Sequence, residues 1–204
     1  YSLYGMKESG NAYKVALMLE LTKTPWEPIW VDFFNGETRT EAFRETTNEM
    51  GEVPVLQKGN LRLSQSGVIL DYLAAETGLF GGQTTDEKRE ILRWILFDNH
   101  KLTSNTATYR FLTNFAKGAD KSVTDFLAGR MHAAFKILNG HLETREFAAG
   151  FNPTIADFSL CGYLFYPDEF GVNWEEHYPA IGGWLGRIQA LKGWRHPYDI
   201  LPSE

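Results

Sequence analysis

Three short stretches place polar groups where they could hold a thiol-bearing, anionic ligand. The first is Ser9-Gly10-Asn11, between a β-prone run and an apolar helical one. A hydroxyl beside the free N–H groups of a helix start can donate to an anion. A thiol held this way loses its proton more readily, and the thiolate is the nucleophile. Ser and Asn are also common helix caps, so the same residues fit a cap with no ligand. The second stretch is Gly51-Glu52-Val53-Pro54-Val55, where proline at the start of a strand cannot donate to a ladder. If the Val53–Pro54 bond is cis, the chain turns sharply and leaves the Val53 N–H and C=O outside the sheet. They could then pair with an extended peptide in strand fashion. A trans proline on an edge strand fits the same residues and is the commoner state, since only ~5–6% of X–Pro bonds are cis. The third is Gln65-Ser66-Gly67 at the head of an apolar helix, where free N–H groups and partial positive charge suit a carboxylate. Taken alone, the residues fit a plain N-cap with no ligand better.

A fourth stretch, Pro153-Thr154-Ile155-Ala156-Asp157, has the spacing of a capping box, with Asp in place of the usual Glu or Gln. Its reading is structural: Asp157 nucleates a buried helix. The one cysteine, Cys161, lies among apolar residues and reads as a small core residue. No cysteine stands in the first turn, which excludes a Cys-based thioredoxin or glutaredoxin mechanism. The five histidines show no ligand spacing and have no cysteine partners, so no metal site is expected. One cysteine also precludes an intrachain disulfide and fits a reducing, cytoplasmic location. A net charge of -6, both signs interspersed, argues against nucleic acid and against a polybasic membrane anchor. No apolar run approaches the ~18 residues of a membrane helix.

The elements that must position these groups fall into two patterns. Residues 1–77 alternate β and α signals. Strand-like runs lie at 1–4, 26–34, 53–57 and 61–63, the last two joined by Lys58-Gly59-Asn60 as a hairpin. Helical runs lie at 14–21, 37–45 and 66–77. The order β-α-β-α-β-β-α implies a small mixed sheet with helices on its faces. Residues 78–86, rich in glycine, read as a linker. From 87 to 204 the pattern is all helical: a long helix to about 115, then Val123, Leu127, Met131, Ala134, Leu138 and Leu142 as an apolar stripe, two more helices at 154–165 and 179–191, and an ordered tail.

In this order and spacing, the Ser-containing first turn, Gly51-Glu52-Val53-Pro54-Val55-Leu56, Gln65-Ser66 and Pro153-Thr154-Ile155-Ala156-Asp157 resemble the cytosolic glutathione transferases, bacterial members most of all. The resemblance spans essentially the whole chain. It implies a thioredoxin-like α/β glutathione-binding domain, an all-α C-terminal domain, a homodimer and glutathione as co-substrate, with a small apolar electrophile as the second substrate. Val53 would pair by its backbone with the cysteinyl part of glutathione, with Pro54 cis. Gln65 and Ser66 would hold the γ-glutamyl carboxylate. Ser9 would stabilise the thiolate, with Asn11 as runner-up, and Asp98 would reach the glutathione amino group of the other subunit. Met6, Lys7, Tyr109 and Phe111 are candidate walls of the second-substrate pocket, and the aromatics fit plain core equally well. A glutathione-dependent peroxidase or disulfide reductase and a non-catalytic glutathione-binding module are the alternative activities. Two departures stand out. Gln65 replaces a common acid and offers no charge to the glutathione ammonium, and Asn48-Glu49 replaces Asn-Pro, which would leave that loop freer.

Overall fold

The computed structural model describes residues 1–203 and resolves into two compact units. One is built from Tyr1–Leu79 together with the segment from Leu191 on; the other is Phe80–Ala190.

The first unit holds a four-stranded sheet of β1 (Ser2–Gly5), β2 (Glu27–Trp30), β3 (Val55–Lys58) and β4 (Leu61–Ser64), in the order β2-β1-β3-β4. The β1–β2 pair is parallel; β1–β3 and β3–β4 are antiparallel, giving the mixed sheet expected. The helices α1 (Gly10–Leu21) and α3 (Ser66–Thr77) pack against each other. Leu3, Leu17, Met18, Leu56, Ile69 and Leu70 form the fully buried core. The first helix starts at Gly10 rather than Lys14, because Ser9 caps it: its Oγ accepts the Ala12 N–H at 3.1 Å. The single polar helix expected at 37–45 is broken into a 3-10 turn, Glu37–Arg39, and α2 (Glu41–Thr46). Thr40 restarts the helix by accepting the Phe43 N–H at 3.2 Å.

The second unit is helical. The long helix runs as α4 (Thr85–Phe97), a π-helical turn Asp98–Leu102 and α5 (Thr103–Asn114). After it come α6 (Lys121–Leu142), α7 (Ile155–Cys161), α8 (Trp174–His177) and α9 (Pro179–Gln189). Met131, Ala134, Leu138 and Leu142 of the expected stripe are buried, whereas Val123 is exposed. Every residue of α7 is buried, Cys161 included. The capping box at its head is formed: Thr154 N–H donates to Asp157 Oδ2 at 2.8 Å, and the Asp157 N–H caps back.

The tail belongs to the first unit, where the sequence reading placed it with the helical domain. It carries α10 (Pro197–Ile200). Tyr13, fully buried, donates its hydroxyl to the Arg195 carbonyl at 2.9 Å, and the Lys7 N–H donates to the Pro202 carbonyl at 3.1 Å. Among the described residues no helix is long and apolar enough to cross a membrane.

Candidate functional site

Sheet register gathers the first three stretches at one end of the first unit. Tyr4 pairs with Val55 and Val55 pairs with Ser64. The C-terminal end of β1, the N-terminal end of β3 and the C-terminal end of β4 therefore lie side by side. Ser9 and Asn11 follow the first, Val53 and Pro54 precede the second, and Gln65 and Ser66 follow the third.

Ser9 is buried, 6% exposed, at the mouth of α1. Its oxygen accepts from Ala12, which leaves the hydroxyl proton available to a ligand. Asn11 sits in the first turn of the same helix, and its buried Oδ1 has no hydrogen-bond partner. A side-chain amide carries both a donor and an acceptor, so this position can offer the site either. The Val53–Pro54 bond is cis. Val53 lies outside β3, and its N–H and C=O make no backbone hydrogen bond. Backbone polar groups of a half-buried segment demand partners, so this pair is open to a partner from outside the sheet.

Gln65 adopts φ 67° and ψ 110°, a region that a residue with a Cβ enters at a cost of roughly 1–3 kcal/mol. Its carbonyl still accepts the Ile69 N–H at 3.0 Å, so α3 begins there, with buried Ser66 as its first residue. Such strain is tolerated where the surroundings over-determine a functional backbone. The start of α3 offers N–H groups and the positive end of the helix dipole to a carboxylate.

Glu52 stands next to Val53 at the same end of the sheet. Gln65 Nε2 donates to its carboxylate at 2.9 Å, which sets an acid beside the position where the acid was missed. Sequence order hides this pairing, because it depends on the β3–β4 hairpin returning residue 65 alongside residue 52. Nor is the 48–52 loop free. The buried Asn48 donates to the Glu52 carbonyl at 2.9 Å and accepts the Met50 N–H at 3.1 Å, while Arg44 donates to the Glu49 carbonyl at 3.0 Å. Gly51 at φ 67° completes the brace. A Cβ there would come within 2.7 Å of the Thr38 carbonyl oxygen and 2.8 Å of Arg44 Nη2, so only glycine fits.

Asp98 requires a correction. It is 0% exposed inside the helical unit. Thr103 donates to its Oδ1 and Ser159 to its Oδ2, both at 2.6 Å. Asp98 continues the buried face of Ile91, Trp94 and Ile95 on α4, so its carboxylate is turned into the helical unit rather than toward another subunit. Of the expected pocket residues, Met6 is buried, Tyr109 is partly exposed and Phe111 is 39% exposed. No group of three or more His, Cys, Asp or Glu among the described residues could hold a metal ion.

Comparison with known proteins gives consistent matches. Residues 1–75 match the model of the glutathione S-transferase N-terminal domain, and residues 101–192 that of the C-terminal domain. A possible glutathione S-transferase from Rhodopseudomonas palustris is 32% identical, with a TM-score of 0.89 and 97% of each chain covered. A glutathione transferase from Burkholderia graminis, solved with two glutathione molecules per subunit, is 26% identical, with a TM-score of 0.81 over 94% of this chain and 84% of that one. The disulfide-bond oxidoreductase of Escherichia coli is 26% identical over 188 residues, 88% of this chain and 86% of its own.

Proposed function

We propose, from the premise that this chain belongs to the glutathione S-transferase family, that it is an enzyme joining the glutathione thiolate to small apolar electrophiles. The observation that carries this reading is the pairing of Ser9 at the mouth of α1 with the unbonded backbone of Val53 at the same end of the sheet. The Val53 N–H and C=O would take the cysteinyl backbone, which points its sulfur toward α1. The Ser9 hydroxyl would donate to that sulfur. Gln65, Ser66 and the start of α3 would take the γ-glutamyl carboxylate, and Glu52 would supply the charge for the ammonium. A conjugation assay with an aryl halide tests the activity itself; no turnover at saturating glutathione would leave only a binding module.

Turnover of a glutathione mixed disulfide, run beside it, separates this reading from a disulfide reductase, which the likeness to the Escherichia coli oxidoreductase supports. With a hydroxyl rather than a thiol in the first turn, all sulfur chemistry falls to bound glutathione, and conjugation is expected to be the faster reaction.

Glu52→Gln is expected to raise KM for glutathione roughly two- to fivefold with kcat little changed, the scale of one exposed ion pair. An unchanged KM would remove Glu52 from the site. Association follows from α4, where Leu92 and Leu96 stand one turn apart, 54% and 58% exposed. We expect this stripe to join two copies, with Leu96→Arg shifting the species seen by light scattering from dimer to monomer.

A further inference from the structure

The chain carries a net charge of -6, yet one concavity of the helical unit gathers a lysine and two imidazoles beside a single carboxylate. It encloses about 690 Å³ between one face of α6 and the corner where α8 meets α9. His132, Lys136, Asn139 and Glu143 recur along α6 at helical spacing and so share that face. His177 and Tyr178 close the opposite side, while Gly140 and Gly171 add no side chain and leave the space open.

The polar groups here divide into those already engaged and those that are not. Asn139 is engaged: its Oδ1 accepts the Ala180 and Ile181 N–H groups at 3.0 and 3.3 Å, and its Nδ2 donates to Glu143 at 3.3 Å. Glu143 is the one carboxylate lining the cavity. The His132 ring is held by an Nδ1 contact of 2.9 Å to the Tyr178 hydroxyl, by stacking on the Tyr178 ring and by the edge of Phe135. That fixes the ring and leaves Nε2 as the nitrogen without a protein partner. The side chains of Lys136 and His177 make no hydrogen bond or ion pair among the described residues. Burial pushes the His132 pKa down, and the charges of His177 and Lys136 push it further. In an acidic protein, this corner repels its own imidazolium.

We propose that this concavity binds a small, multiply charged oxyanion, a phosphate ester or a polycarboxylate, through Lys136, His177 and Nε2 of His132. The volume exceeds that of a bare phosphate and leaves room for the organic part of a metabolite. None of these residues serves the tripeptide site, so this inference stands or falls independently of the proposed activity. The charged and titratable groups facing His132 are Lys136 on α6, with His177 and Tyr178 across from it; Glu143 lines the cavity about three helical turns away, just past the end of α6. A bound anion favours the imidazolium. It therefore raises the His132 midpoint, and affinity falls as pH rises through the imidazole range.

The test follows the His132 ring proton by NMR across pH, in chloride, in inorganic phosphate and in citrate at matched ionic strength. Phosphate or citrate should raise the His132 midpoint, and the stronger of the two identifies the ligand class. Lys136→Ala and His177→Gln, both at exposed positions, should each weaken binding roughly two- to fivefold, the scale of a solvent-accessible charge pair. A midpoint identical in all three salts would overturn the proposal, as would undiminished binding in both variants.

Discussion

Replacing Ser9 with aspartate should leave the protein folded and yet raise the apparent pKa of bound glutathione more than replacement with alanine does. The reason lies in the two jobs one side chain performs. As a cap, Ser9 uses its oxygen to accept the Ala12 N–H. As a proposed activator, it uses its hydroxyl proton. Aspartate keeps the first job, and its charge suits a helix N-terminus, but it has no proton to give and sets a negative charge against the sulfur. Alanine loses both jobs, at a stability cost of about 1 kcal/mol. A free thiol has a pKa near ~8.5, and a hydrogen bond from a hydroxyl to a charged acceptor is worth roughly 1.5–3 kcal/mol. Ser9→Ala should therefore raise the thiol pKa by about 1–2 and cut kcat/KM at neutral pH roughly ten- to a hundredfold. The loss should shrink at alkaline pH, where the thiol ionises unaided, and Ser9→Thr should restore the profile. Coincident pH–rate profiles for wild type and Ser9→Ala would move the role to Asn11, whose buried Oδ1 lacks a partner at the same helix mouth.

The two jobs also show how far the sequence could be read. A serine before an apolar helical run announces a cap, and the cap is there. The alternation of residues 1–77 announced the mixed sheet, because periods of two and 3.6 are written in side-chain order. What stayed hidden depends on contacts between distant segments. Residues 193–204 read only as an ordered tail, since the hydroxyl of Tyr13 that holds Arg195 lies far away in the chain. Asp98 was assigned to a neighbouring subunit's glutathione by resemblance alone, although its place seven, four and three residues after the buried Ile91, Trp94 and Ile95 puts it on the inward face of the helix. There its carboxylate accepts from Thr103 and Ser159. Glu52 was passed over because its meeting with Gln65 exists only once the hairpin is closed.

The largest expected loss of stability comes from Asp157, which joins three segments of the helical unit through one carboxylate. Oδ1 accepts the Ala148 N–H at 2.8 Å and the Trp184 indole N–H at 2.9 Å; Oδ2 accepts the Thr154 N–H and hydroxyl at 2.8 and 3.1 Å. Asp157, Trp184 and every residue of α7 are buried, so water cannot replace a lost acceptor. Asp157→Ala strands these donors and removes the cap of α7, at an expected cost of about 3–5 kcal/mol in urea unfolding. Asp157→Asn keeps one oxygen but turns an NH2 toward Thr154, so it should cost less. The asparagine variant also isolates the titration. Burial drives the Asp157 pKa above its ordinary value, against the pull of its hydrogen bonds. The native state then holds the proton to higher pH than the unfolded chain does. Stability gained from that proton is complete below the unfolded pKa and is withdrawn as pH rises through the native one. The stability gap between wild type and Asp157→Asn should therefore narrow as pH rises. A gap that widens would mean that the four donors outweigh burial and hold the native group as a carboxylate.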